Sequence, residues 1–133
     1  MTIREAAIAD IPCIQTLMLS VPGFWQAGWR DDVLERGLRS AEGLAFVAEV
    51  QGQIVGFVCA HDVGFRAYLS ELVVAQLQRN AGIGKNLVEH VQKAAAQRGC
   101  NVLFSDVWRN AESFYRDLGW STPDVVLLRK KLN

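Results

Sequence analysis

The chain has little that would send it to a nucleic acid or a membrane. Fourteen lysines and arginines balance fourteen acidic residues, and the formal net charge is zero. No basic surplus marks a nucleic-acid binder, and no block of like charge marks a tail. No apolar run approaches the ~18 residues of a membrane span, and Met1-Thr2-Ile3-Arg4 does not open a signal peptide, so a cytoplasmic protein is expected. Cysteine is scarce: Cys13, Cys59 and Cys100 are odd in number, far apart and set among apolar neighbours. Free, buried thiols are expected, with no metal centre and no disulfide framework. Only three prolines, no low-complexity run and no internal repeat leave no linker at which to divide 133 residues, so residues 1–133 are expected to form one domain. Apolar residues are what the chain has in quantity. Half of it is hydrophobic, enough for a real core.

One stretch organises the rest, Glu71 to Gly99. Glu71-Leu72-Val73-Val74 is apolar and β-branched, as a buried strand should be. Arg79-Asn80-Ala81-Gly82-Ile83-Gly84 follows as a polar loop with two glycines. Behind it Ile83, Leu87, Val91, Ala94 and Ala95 recur at helical spacing, and Gly99 supplies the stop. A helix that starts in such a loop presents free backbone N–H groups and the positive end of its dipole, a site suited to phosphate. Two common phosphate motifs are excluded. A Walker loop would need Ser or Thr after Gly84-Lys85, where Asn86 stands, and a dinucleotide fingerprint would need glycine at Leu87.

Around this stretch the chain reads in order as follows. Thr2 to Ala6 is a short strand. Asp10 is a candidate N-cap for a helix with Ile11, Ile14, Leu17 and Met18 on one face. Asp31 and Asp32 open a second helix with Val33, Leu34 and Leu38 inward. Leu44–Val50 and Ile54–Ala60 form a hairpin about Gly52, and Arg66–Val74 is the strand that feeds the glycine loop. Asn101–Val107 is a further strand. Asn110 is a candidate cap for a short helix with Ala111, Phe114 and Leu118 on one face. Val125–Leu132 is a last strand, and Trp120–Thr122 a possible short extra one. The order β-α-α-β-β-β-α-β-α-β predicts an α/β (α+β) fold with a mixed, mostly antiparallel sheet of six to seven strands and about four helices.

Two motifs in this order carry a resemblance. Arg79-x-x-Gly82-x-Gly84 after a strand is similar to the pyrophosphate loop of the GNAT superfamily of acyl-CoA N-acyltransferases. Asn110-Ala111-x-x-Phe114-Tyr115-x-x-Leu118-Gly119-Trp120 is similar to a second region of that family, with Asn and Ala adjacent here and Trp in place of Phe. Arg4-Glu5-Ala6 with Asp10 resembles the family's usual opening. The resemblance implies acetyl-CoA as the acyl donor. Its pyrophosphate would lie on Arg79, Asn80, Ala81, Gly82, Ile83, Gly84 and Lys85. Its pantetheine arm would lie along Leu72, Val73 and Val74, where that strand splays from Asn101–Val107, with Asn110 and Ser113 lining the far side. It also implies Tyr115 as the group at the leaving sulfur, though a half-buried core tyrosine beside Phe114 is the plain alternative.

The base is open. Glu71 is the best carboxylate, but a solvated or ion-paired strand glutamate reads equally well, His61 and His90 are weaker, and an ordered water could serve. Phe24, Trp25 and Trp29 lie in the loop between the first two helices and either wall an acceptor site or cover a core edge. The expected function is transfer of an acetyl group to a primary amine of a small acceptor. The alternative on the same fold is a non-catalytic acyl-CoA-binding regulatory or interaction module. A nucleotide-binding protein of another kind is more remote. No nucleic acid or membrane partner is expected, and the chain is expected to be a monomer or a homodimer.

Overall fold

The computed structural model describes residues 1–133. Five strands form one sheet in sequence order: β1 (Thr2–Glu5), β2 (Ala45–Val50), β3 (Gln53–Asp62), β4 (Ala67–Val74) and β5 (Leu103–Phe104). The first four pair antiparallel and β5 joins β4 in parallel, which gives the mixed sheet the sequence predicts. Four helices accompany it: α1 (Ile11–Ser20), α2 (Val33–Ala41), α3 (Ile83–Gln97) and α4 (Glu112–Asp117).

Alternation along the strands sends successive side chains to opposite faces. Val47, Phe57, Cys59 and Val73 meet α1 and α2, burying Ile14, Leu17, Met18, Leu34 and Leu38. Ala48, Val58, Ala60 and Leu69 meet α3, burying Ile83, Leu87, Val88 and Val91. The sheet is thus a middle layer between two separate apolar cores.

Several expectations change. Five strands stand where six to seven were predicted. Residues 120–122 and 125–132 pair with nothing, and of Asn101–Val107 only two residues join the ladder. A strand's own composition cannot decide whether its backbone finds a partner, because pairing is a tertiary event. Cys59 is buried as expected, but Cys13 is exposed and Cys100 half-buried. Asp10 precedes α1 yet caps no N–H of that helix. Its carboxylate takes the Ala7 N–H at 2.7 Å and the Arg4 guanidinium at 2.8 and 2.9 Å. Asn110 lies exposed within a 3-10 turn (Arg109–Ala111) instead of capping α4.

Candidate active site

The ladder between β3 and β4 shifts register between Cys59 and Ala60. Cys59 faces Glu71 and Ala60 faces Leu69, leaving Ser70 as the extra residue. Such a bulge can place two consecutive side chains on one side of a strand. Ser70 and Glu71 both line a cavity of about 650 Å³ on the face covered by α1 and α2. Met18, Trp29, Val33, Leu34 and Phe57 give it apolar walls, and Arg30, Arg36 and Arg39 stand along α2 and the loop before it.

Glu71 is mostly sequestered from water and makes no ion pair or side-chain hydrogen bond. Burial first, and then the nearby charge of Asp106, raise its pKa from 4.5 to about 7. Asp106 itself accepts a hydrogen bond from the Tyr68 hydroxyl, whose own ionisation is pushed up by burial and by that carboxylate. Behind the cavity wall His61 ties two elements together. Its Nδ1 lies 2.8 Å from Ser40 Oγ of α2, and its Nε2 lies 2.8 Å from Ser70 Oγ of β4. Burial lowers the imidazole pKa, which favours the neutral ring. Cys59 lines the same cavity, and burial holds its thiol up at about 12, in the unreactive neutral form.

On the other face, β4 runs into the glycine loop and α3. Gly82 sits at φ +79 and Asn80 at φ +69, two left-handed residues with Ala81 between them. Alternation of this kind turns successive N–H groups toward one concavity. The first backbone hydrogen bond of α3 runs from Asn86 to Gly82, so the N–H groups of Asn80 through Lys85 have no protein acceptor. Gly84 packs closely on Phe114: a Cβ there would lie 3.3 Å from Phe114 Cζ, so the ring would have to give by a few tenths of an ångström. The loop is therefore seated on α4. Arg79 and Lys85 are exposed at its rim, and Lys85 is only 4.0 Å from Glu89. Six free donors, a helix N-terminus and two cations suit a pyrophosphate.

Leu72 and Val74 point into the α3 core while Val73 points to the α1–α2 core. Only Ala67–Leu103 and Tyr68–Phe104 pair between β4 and β5, so the strands part beyond Tyr68. Tyr115 is buried beside Phe114 and Trp120, both ring centroids 5.1 Å away. Its hydroxyl bonds to no protein group. Since no buried side-chain oxygen lacks a partner, that hydroxyl reaches the surface. Burial of the ring raises its pKa to about 12. Asn110 and Ser113 are exposed near the start of α4.

The Acetyltransferase (GNAT) family model matches residues 11–120. The chain belongs to the GNAT acetyltransferase family. An acetyltransferase from Yersinia pestis (strain Pestoides F) is 31% identical over 109 residues, covering 78% of this chain and 77% of that protein. Two solved structures share the fold at lower identity. The PaiA N-acetyltransferase from Thermoplasma acidophilum, in complex with coenzyme A, aligns with TM-score 0.79 and 18% identity over 94% of this chain and 92% of that one. The glucosamine-6-phosphate N-acetyltransferase from Arabidopsis thaliana aligns with TM-score 0.76 and 20% identity over 99% and 98%. The GNAT chain is an acyltransferase, and acetyl-CoA is its acyl donor.

Within this GNAT fold the three loop aromatics part company. Trp29 lines the cavity. Phe24 is buried in the α1–α2 core, 6.5 Å from Trp29 and 5.9 Å from Trp108 between ring centroids. Trp25 is half-buried and stacks edge-on against Trp29 at 5.1 Å. His90 is exposed on α3 and bonds its own helix through the Asn86 carbonyl. Ser70, Asp106, Tyr68 and Cys59 were not legible as site residues from the sequence. The only signal was polar Ser70-Glu71 and Ser105-Asp106 interrupting two apolar strands.

Proposed function

We propose that the chain transfers the acetyl group of acetyl-CoA to the primary amine of a small acceptor by direct attack in a ternary complex. The observation that carries this reading is the placement of Glu71. It stands in the wall of an otherwise mostly apolar cavity, on the strand that parts from β5. Acetyl-CoA, held at the α3 loop, supplies the acetyl group as a thioester. A carboxyl poised near neutrality can accept the proton an incoming ammonium must lose. Tyr115 lies on the opposite face of the sheet, in the core beneath α3, with its hydroxyl at the surface. At a pKa of about 12, full proton donation to a thiolate of pKa ~8.5 is uphill by roughly 5 kcal/mol. Tyr115 is therefore a hydrogen-bond donor to the leaving sulfur and not a complete acid.

The cavity favours an acceptor with an apolar body over a polycation. Trp29, Val33, Leu34 and Phe57 supply the wall, and Glu71 is the one carboxylate that lines it, too little negative charge to hold a polycation. Asp32 and Glu35 do not make an acidic funnel, because Arg36 holds the first at 2.7 Å and Arg39 the second at 2.9 Å. The test is thiol release from acetyl-CoA with a panel of amines, comparing an arylalkylamine or amino-acid amine with spermidine at matched concentration. A preference for the apolar amine is expected. A clear kinetic preference for spermidine would refute the acceptor class, and no turnover with any primary amine would refute the transferase reading.

A further inference from the structure

Of the two histidines, only His61 stands against the acceptor cavity, and both its ring nitrogens are already taken. Nδ1 meets Ser40 in the last turn of α2, and Nε2 meets Ser70, the extra residue of the β4 bulge. Each hydroxyl has a second partner. Ser40 reaches the Gly37 carbonyl at 3.1 Å, and Ser70 reaches the Cys59 carbonyl at 3.3 Å. A hydroxyl has one proton, and a neutral imidazole has one N–H and one bare nitrogen. One serine therefore donates to the ring, while the other accepts from it and keeps its carbonyl. The result is a directed chain of hydrogen bonds from β4 to α2. Completing it takes a donor on one side of the bridging group and an acceptor on the other.

The chain crosses beside the one residue of α2 that has no side chain to pack. Gly37 lines the cavity, and a Cβ there would meet no atom within 4 Å. The Cys59 thiol reaches the Gly37 carbonyl only at 3.7 Å. Ser40 belongs to the α2 wall of the cavity, Ser70 to the β4 wall, and Glu71 follows Ser70 on the bulge. We propose that His61 is a positioning residue for the acceptor site: it sets the spacing between the α2 and β4 walls and holds the bulge that presents Glu71. The proposal rests on the reading of Glu71 as the proton acceptor for a small amine. It gives His61 no contact with substrate.

The experiment compares His61→Phe with His61→Gln in the full chain. Phenylalanine keeps a flat ring and loses both bonds. The serine protons stay on the Gly37 and Cys59 carbonyls, so no hydroxyl is orphaned and the variant is expected to fold. Glutamine restores a donor and an acceptor on one planar group. In His61→Phe, kcat/KM for the amine should fall about 10- to 100-fold with a raised amine KM, the reach of a displaced group, while KM for acetyl-CoA and calorimetric CoA affinity stay unchanged. His61→Gln should recover most of the loss. A merely structural role would lower kcat through lost active protein and move neither KM. A second readout needs no turnover: NMR titration of the Glu71 carboxyl carbon in wild type and His61→Phe. A looser wall admits water, so the midpoint should move from about 7 toward 4.5. Arg30, Arg36, Arg39 and Cys59 share the cavity, and Tyr68 and Asp106 stand beside Glu71; none is altered, and burial holds the replaced imidazole in its neutral form, so the shift reports burial alone. An unmoved Glu71 titration in a folded His61→Phe protein, equal changes in the two KM values, or a His61→Gln protein as impaired as His61→Phe would each overturn the positioning role. If the wild type turns over no primary amine, the transferase reading fails by itself, and the Glu71 titration still decides whether His61 positions that carboxyl. If His61→Phe does not fold, Ser40→Ala cuts the same chain at an exposed hydroxyl. The same titration shift and raised amine KM are expected of it, and the absence of both overturns the proposal.

Discussion

Glu71→Gln keeps the shape of the side chain and removes its ability to take a proton. With a pKa of about 7, the wild-type carboxyl is roughly half ionised at pH 7, about a tenth at pH 6 and about nine-tenths at pH 8. The wild-type kcat/KM should therefore fall about tenfold per unit below pH 6. The acceptor amine has its own ionisation, so two acceptors of different basicity separate the two limbs. The limb near 7 stays put while the amine's limb moves. In Glu71→Gln the limb near 7 should vanish and the plateau drop by about 10²–10⁴, the usual reach of general-base catalysis. Asp106→Asn removes the neighbouring negative charge and should move the limb to lower pH, since ionised Glu71 is then less opposed. Initial rates are read as free thiol with a chromogenic disulfide. Persistence of the limb near 7 in a folded Glu71→Gln protein would refute the assignment and leave the proton to water. Stability offers an independent readout. The folded pKa is raised, so the native state binds more protons than the unfolded chain between about 4.5 and 7. Wild-type urea midpoints should fall as pH rises through that window, and those of Glu71→Gln should fall less.

Gly82→Glu should lower CoA affinity by at least about 100-fold, because it forces a side chain onto φ +79 and sets a negative charge among the free N–H groups; calorimetry against CoA measures this, and unchanged affinity in a folded variant would exclude the loop. Tyr115→Phe should reduce kcat about 10- to 1000-fold with CoA affinity little changed, so an equal loss of binding would return Tyr115 to packing alone. Gly56→Val tests the seat of α3: a Cβ at Gly56 would lie 2.9 Å from both Ile83 Cγ2 and Leu87 Cδ1, and chemical denaturation should show a loss of about 1–3 kcal/mol or more.

The parts legible in the sequence are those decided by local pattern. The four antiparallel strands follow from alternation and from the turn at Gly52, and α3 follows from its apolar spacing. The exposure of Cys13 could have been read the same way, since Ile14, Leu17 and Met18 define an inward face that excludes it. The β5 ladder and the fate of residues 125–132 could not, because a strand sequence does not name its partner. The candidate site divides along the same line. Residues 79–85 and Tyr115 announce themselves by motif. The surroundings of Glu71 do not: Tyr68 and Asp106 meet across 38 positions, and His61 joins Ser40 to Ser70 across two elements. Phe24 and Trp25 look like Trp29 in sequence, and only packing buries Phe24 in the core, sets Trp25 edge-on against Trp29 and leaves Trp29 in the cavity wall.

The bulge at Ser70 divides what the fold needs from what the cavity holds. Leu69 faces Ala60 and Glu71 faces Cys59, so a chain lacking Ser70 would still alternate correctly and leave both cores intact. The ladder would simply run straight. What would disappear is one hydroxyl on the cavity wall, together with the tether from β4 through His61 to α2. Single-residue insertion and deletion in this strand can therefore alter the acceptor wall without reaching the cores, and relatives of one fold can differ at this position while the layers on either side stay the same.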